Sequence, residues 1–427
     1  MTETSQSQLG PFREVPYMGV IFVVAEAEKR GFVNGHPDWS NLGQGQPEVG
    51  EMEGAPPRIT EIELTALDHA YGPLEGTLEL REAIARHYNR LFRQGKSSQY
   101  GPENVAVAQG GRLALSRALA AIDGVNVGYQ VPDYTAYEDM FTAHMSRFTP
   151  MPIPVHEESG FLVTSAQVEQ AIDDLGLSAF LLSNPCNPTG RHLNQQALRE
   201  IAQLAKTSGC AMLLDEFYSH FIYTQGEKGD WGPGDGPVSI AAEIDDVDTD
   251  QVIVFDGLTK SYRYPGWRIG WVLGPPAIIA TVARVASSLD GGTSKLAQRA
   301  ALAALEPDVA DQETTALRKV FVEKRNLMVS QLRDMGVRFA GEPDSTFYVW
   351  GSLEDLPPPL NDPMTFFWRA LDRKVMTVPG KFFGVNPGQR RRGPSNYDNW
   401  MRFSFGPPMD NVIQGLDRLR AMVGEAR

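Results

Sequence analysis

Three polar clusters in this 427-residue chain each follow directly on a short apolar run, and each brings a different chemistry. Residues 183–190 read Ser-Asn-Pro-Cys-Asn-Pro-Thr-Gly; two prolines fix the backbone, and the Asn187 amide can hydrogen-bond an oxygen on a flat ligand. Asp215-Glu216-Phe217-Tyr218 sets a carboxylate at a strand end with a phenol three residues later. Burial would raise the pKa of that carboxyl unless a cation faced it. Gly257-Leu258-Thr259-Lys260, followed by Pro265-Gly266-Trp267-Arg268-Ile269-Gly270, contains a primary amine. Lysine is the side chain that forms an imine with a carbonyl, once a cationic or desolvated setting has removed its proton. Thr259 and Arg268 add a hydroxyl and a forked cation of the kind that grips phosphate.

Upstream, Gln109-Gly110-Gly111-Arg112 ends one apolar run and opens a helical one. Such a junction presents unpaired backbone N–H groups and the positive helix end to an anion. Tyr134, in Pro132-Asp133-Tyr134-Thr135-Ala136-Tyr137, could stack on a planar ring. Taken singly, each feature has a plainer explanation: a stiff turn at 183–190, a helix cap at Asp215, a solvated lysine, a tight glycine loop, a core tyrosine. Their order along the chain and their common place after apolar runs carry the argument.

Those runs set the architecture. Strands are expected at 105–108, 125–131, 179–183, 211–214 and 252–255, alternating with helices at 77–92, 112–122, 137–145 and 195–206, the last capped by Asn194. Alternation of this kind predicts an α/β fold with a mostly parallel sheet covered by helices on both faces. Residues 17–32 read as an amphipathic helix ended at Gly31, residues 41–54 as a Gly-rich loop, and residues 225–250 as a surface excursion with few core candidates. A long helix over 310–335, striped with Leu317, Phe321, Met328 and Leu332, should link a large domain to a smaller C-terminal one. The expected division is an N-terminal arm and part of the small domain over 1–55, a large domain over 56–308, and an α+β small domain completed by 309–427.

Composition narrows the class. A net charge of −14 argues against nucleic-acid or anionic-membrane binding. The longest apolar run near the start, residues 19–25, falls well short of the roughly 20 residues a membrane span needs. The opening residues lack the pattern of a secretory signal, and Cys186 and Cys210 are too few for a disulfide framework. A cytoplasmic protein is expected, with no metal site. The three arginines at 390–392 lie in a segment, 384–400, that reads as an insertion with a solvated charge run.

The ordered set NLGQGQPE, YGPLEG, GGRLAL, PDYTAY, NPCNPTG, DEFY, LTK with PGWRIG, and WMRFSFG resembles the class I/II aminotransferases of the fold-type I architecture, over most of the chain. The resemblance implies pyridoxal 5′-phosphate as cofactor, with Lys260 as its Schiff-base lysine and proton carrier. It implies Asp215 as partner of the pyridine nitrogen, Asn187 and Tyr218 as partners of the phenolic oxygen, and Tyr134 as the stacking ring. The amides of Gly111 and Arg112 with the side chains of Thr259 and Arg268 would form the phosphate cup. Tyr71, in Tyr-Gly-Pro, would reach the neighbouring subunit's phosphate, implying a homodimer. Arg402 and the backbone of Gly45, with Asn187, would bind the substrate α-carboxylate.

Two departures stand out: the phosphate loop reads Ala108-Gln109-Gly110 where Thr-x-Gly is usual, and the stacking aromatic is tyrosine rather than Trp or Phe. The reaction implied is transfer of an amino group from an L-amino acid to a 2-oxo acid. The run from Lys260 to Gly270 is also similar to aminocyclopropane-carboxylate synthases, which keeps open a lyase, replacement, cyclisation or oxidation reaction, including one on S-adenosylmethionine. A cofactor-binding regulator fused to a DNA-binding module is not expected, since no basic recognition helix flanks the pattern.

Overall fold

The computed structural model describes residue 17 and residues 19–427; residues 1–16 and 18 of the expected arm lie outside the described residues. Seven strands form the central sheet: β1 (Val105–Ala108), β2 (Asn126–Val131), β3 (Thr149–Pro154), β4 (Leu177–Ser183), β5 (Ala211–Asp215), β6 (Val252–Gly257) and β7 (Gly270–Leu273). Their spatial order is β1-β7-β6-β5-β4-β2-β3. All neighbours pair in parallel except β7, which runs antiparallel to both β1 and β6. Consecutive positions of β1, β5 and β6 are buried, the pattern of a sheet covered on both faces. This is the α/β architecture that the alternation predicts.

Local signals explain most boundaries. Asn194 caps the helix Gln195–Ser208 through a 2.9 Å bond from the Ala197 amide to its side-chain oxygen, and Gly209 ends it in the left-handed region. Pro307 begins the helix Pro307–Met335 and Gly336 ends it at φ +102°, with Leu317, Phe321, Met328 and Leu332 all buried. Several elements escaped the sequence reading, among them strands β3 and β7 and the helices Ser165–Leu175, Pro276–Leu289 and Lys295–Ala304. Strand β3, Thr-Pro-Met-Pro-Ile-Pro, carries three prolines, which only an edge strand tolerates, and it pairs with β2 alone. The helix Ser165–Leu175 is announced by a Thr164/Gln167 capping box.

The excursion at 225–250 needs correction. Its first part is a hairpin of Tyr223–Gln225 with Trp231–Pro233 whose tip, residues 224–230, is exposed, but Ile240, Ala241, Ile244 and Val247 are buried. The acids in this stretch turn the backbone: Asp250 accepts from the amides of Asp245 and Asp246 at 3.0 Å each. The buried Arg93 guanidinium donates to the carbonyls of Ala241 and Ile244. Acids on the outside of such turns disguise apolar residues pointing in.

A second group of elements is built on an antiparallel sheet with Trp400–Ser404 between Tyr348–Ser352 and Val378–Pro379. The helices Pro363–Asp372 and Met409–Ala426 pack against each other. Ser40–Asn41 pairs in parallel with Val375–Met376, and the Asn41 amide donates to Asn411 Oδ1 at 3.1 Å, tying the N-terminal segment to the C-terminal elements. No helix among the described residues is long and apolar enough to cross a membrane. Both cysteines are free and buried.

Candidate active site

Register places the three polar clusters at one edge of the sheet. Ser183 lies opposite Asp215 across β4 and β5, and Asp215 opposite Phe255 across β5 and β6, so 183–190, 215–218 and 257–260 all leave the carboxyl ends of parallel strands. They open on a cavity of about 520 Å³. Of the twelve residues singled out in the sequence, eleven line it: Gly45, Gly111, Arg112, Tyr134, Asn187, Asp215, Tyr218, Thr259, Lys260, Arg268 and Arg402. The twelfth, Tyr71, points fully into solvent.

Each group is held by its neighbours. Asp215 accepts from the Tyr137 hydroxyl at 2.7 Å and from the Phe217 amide at 3.4 Å. Lys260 Nζ donates to the Gly45 carbonyl and lies 5.9 Å from the centre of the Tyr218 ring. Arg402 donates from Nη1 to Asn187 Oδ1 at 2.7 Å and from Nη2 to the Gly43 carbonyl, and its guanidinium lies 4.1 Å from the Tyr348 ring centre. Asn187 is fixed from behind: its amide donates to Ser183 Oγ at 3.2 Å, and that hydroxyl donates to Asp133.

Electrostatics separates the two central charges from their ordinary values. Burial, aided by the positive charges of Arg402, Arg112 and Arg268, pushes the Lys260 amine down to about 7. Burial raises the Asp215 carboxyl to about 6, against the pull of the Tyr137 and Phe217 hydrogen bonds and of Lys260. Near neutral pH a substantial share of the amine, about half, is therefore without its proton while the acid keeps most of its charge. That is the state a nucleophile and a counter-ion need.

Residues 37–419 match the family described as aminotransferase class I and II. The chain belongs to that family. It is 31% identical over 351 residues to a probable aspartate/prephenate aminotransferase of Thermus aquaticus, covering 82% of each chain. It is 27% identical over 368 residues to an aspartate aminotransferase of Streptomyces avermitilis, covering 84% of this chain and 83% of that one. In fold it is similar to the aspartate aminotransferase of Thermus thermophilus with maleate, at TM-score 0.76 and 22% identity, covering 96% of this chain and 100% of that one.

In this aminotransferase one end of the cavity is shaped for an anion. The helix Gly111–Ala121 begins at the cavity wall, so its first amides have no carbonyl of their own helix to bond. Thr259 Oγ1 is buried without a hydrogen-bond partner among the described residues. A β-carbon on Gly110, at φ +81°, would collide with the Arg268 guanidinium, and one on Gly111 with the Phe217 ring. Arg268 itself sits in the left-handed region at φ +55°, ψ +47°, an arrangement that non-glycine residues adopt at a cost. An anchoring phosphate fits this end and a ring cation fits Asp215, the demands of the cofactor that the family uses.

Two side chains at the site have no counterpart in the sequence reading. Tyr137, three residues after Tyr134, was visible only as the start of a helix. Tyr348 bonds Tyr218 hydroxyl to hydroxyl at 2.7 Å and lies against Arg402, yet it comes from a strand whose sequence, Tyr-Val-Trp-Gly-Ser, carries no polar signature. The first helix, Gly19–Glu28, also brings Val20, Ile21 and Val24 to the cavity. Arg390, Arg391 and Arg392 are exposed, but the Arg391 guanidinium is not simply solvated, since it donates to the Gly384 and Val385 carbonyls.

Proposed function

We propose that this aminotransferase works with pyridoxal 5′-phosphate held at the strand ends, with Lys260 as the amine that joins it covalently. Asp215 would face the pyridine nitrogen, Asn187 and Tyr218 the phenolic oxygen, and Tyr134 the ring. The amides of Gly111 and Arg112 and the side chains of Thr259 and Arg268 would hold the phosphate. Bound there, the cofactor supplies an aldehyde for amines to condense with and a protonated ring that accepts the electron pair left at a substrate Cα.

The chain's own residues do the rest. Arg402, with its planar fork and the neighbouring Gly45 backbone, takes the substrate α-carboxylate and thereby orients Cα. Lys260, released from its covalent role by the incoming amine, holds its Nζ as the base that takes the α-proton and returns it. Asp215 keeps its charge throughout, braced by Tyr137. The observation that carries this reading is the convergence on one cavity of an amine pushed down to about 7 and a carboxylate still ionised at neutral pH.

Tyr71 and Leu67, both exposed in the single chain, support a homodimer in which Tyr71 completes the partner's phosphate site. The division into an arm over 1–55, a large domain over 56–308 and a small domain over 309–427 belongs to the same proposal, supported by the pairing of Ser40–Asn41 with Val375–Met376. A cytoplasmic location is supported by two free, buried thiols. The test is a titration of the cofactor-loaded protein with L-amino acids, following visible absorbance and keto-acid release. Keto acid should appear with at least one donor, Lys260→Ala should abolish it, and Arg402→Ala should raise KM while the absorbance of the loaded protein persists. Undiminished turnover in Lys260→Ala would overturn the reading.

A further inference from the structure

The first helix, Gly19–Glu28, has no charged residue before Glu26. Its first two turns are apolar all round, which a helix tolerates when more than one face is kept from water. One dry face is accounted for: Phe22 packs on Phe367, Trp368 and Phe382 with ring centres 6.0, 6.1 and 5.5 Å away, and Val23 and Ala27 are fully buried. The other face presents Val20, Ile21 and Val24 to the active-site cavity, where Ile21 keeps 42% of its surface exposed. Gly19 seats the helix there. At φ +54° it takes a conformation that suits glycine, and a β-carbon would come within 2.7 Å of the Thr135 side chain, beside Tyr134.

The cations of the cavity have other partners in the amino-transfer reading: Arg268 holds the phosphate and Arg402 takes the α-carboxylate. Arg112 Nε donates to the Tyr134 hydroxyl at 3.1 Å, and the Asp139 carboxylate lies on the same wall close enough to act on that guanidinium. A second carboxylate on a substrate would shed its water against three aliphatic side chains and meet an arginine already engaged. An apolar side chain would gain by leaving water there. We infer that Val20, Ile21 and Val24 select an amino donor with an aliphatic or aromatic side chain over an acidic one. This inference rests on the amino-transfer reading above.

The test uses the cofactor-loaded enzyme with L-leucine, L-phenylalanine, L-alanine and L-aspartate in single-turnover reactions. Leucine or phenylalanine should exceed aspartate in kcat/KM by about tenfold or more, the scale at which apolar pockets discriminate. Val20→Ser and Val24→Ser should each lower the leucine and phenylalanine values about fivefold, while alanine, too short to reach the wall, changes less than about twofold. Because a serine could shift the helix rather than only thin the wall, binding of two unreactive carboxylates, 3-phenylpropionate and maleate, is measured alongside, with 3-phenylpropionate expected to bind tighter. Aspartate matching or surpassing leucine, equal losses for all donors in the serine variants, or tighter maleate binding would each overturn the inference. Failure of every amino acid to yield keto acid would instead sink the amino-transfer reading, and the binding comparison would still judge the wall.

Discussion

Asp215 and Glu216 are consecutive acids at the end of one strand, both buried, and they lead opposite lives. Asp215 opens on the cavity, with the Tyr137 hydroxyl on one oxygen and the charge of Lys260 nearby. Glu216 turns into a sealed cluster behind it. There one oxygen accepts from the Ile240 amide at 2.8 Å and the other has no partner among the described residues. Asp256 accepts from the hydroxyls of Tyr88 and Ser219 at 3.2 and 3.3 Å, and the Tyr262 hydroxyl bonds His87 Nε2 at 2.7 Å. Burial raises Glu216 and Asp256 to about 8 and lowers His87 to about 4, so all three are uncharged at neutral pH. Asp215 rises only to about 6 and stays ionised. Hydrogen-bond donors do not by themselves keep a buried acid ionised, since Asp256 and Glu216 both have them and face other acids; the cation of Lys260 sets Asp215 apart.

That contrast can be broken most directly at the two acids. Asp215→Asn should cut turnover by about 10² or more, the scale of losing a group that steers proton transfer, whereas Glu216→Gln should leave kcat within about threefold, since a neutral acid is replaced by a neutral amide of the same shape. Comparable losses in both would show that the sealed cluster takes part in the chemistry. On the cavity side, an amine-selective acylating reagent applied to the cofactor-free protein at pH 7 should modify Lys260 about tenfold faster than exposed lysines. Its rate should rise with pH and level off above about 7, because the amine loses its proton there; mass spectrometry of the 260 peptide reads the result.

Smaller effects belong to the sealed side. His87→Phe removes the partner of the Tyr262 hydroxyl and should cost about 1–3 kcal/mol in denaturant unfolding, with kcat unchanged. Glu216→Gln should raise Tm slightly, and more at pH 8 than at pH 5. The folded parent holds a proton on Glu216 up to about 8, which the unfolded chain releases near the ordinary 4.5. Stability is therefore lost as pH rises through that window, and glutamine, with no proton to hold, escapes the loss. A Tm difference that shrinks toward pH 8 would reverse the assignment.

Much of the cavity was legible because β4, β5 and β6 are short apolar runs that stop at a polar cluster, so a strand end and its functional group are read together. What stayed hidden has physical reasons. Asp215 and Glu216 are equivalent as letters, and only the alternation of side chains at a strand end sends one forward and the other back. Tyr348 meets Tyr218 and Arg402 across more than fifty residues of chain, with no spacing rule to announce it. Val20, Ile21 and Val24 read as one stripe of an amphipathic helix, since nothing local says that their face borders a cavity instead of a core. The Asp-rich stretch before β6 looked like solvent-facing loop because its acids serve the backbone and mask Ile240, Ile244 and Val247.

Arg268 holds a left-handed backbone that glycine would occupy more comfortably by about 1–2 kcal/mol. A laboratory selection that rewards only survival of heating should therefore enrich glycine or asparagine at this position. The survivors would be hardier catalysts in name alone, having exchanged the guanidinium beside Gly110 for a relaxed turn.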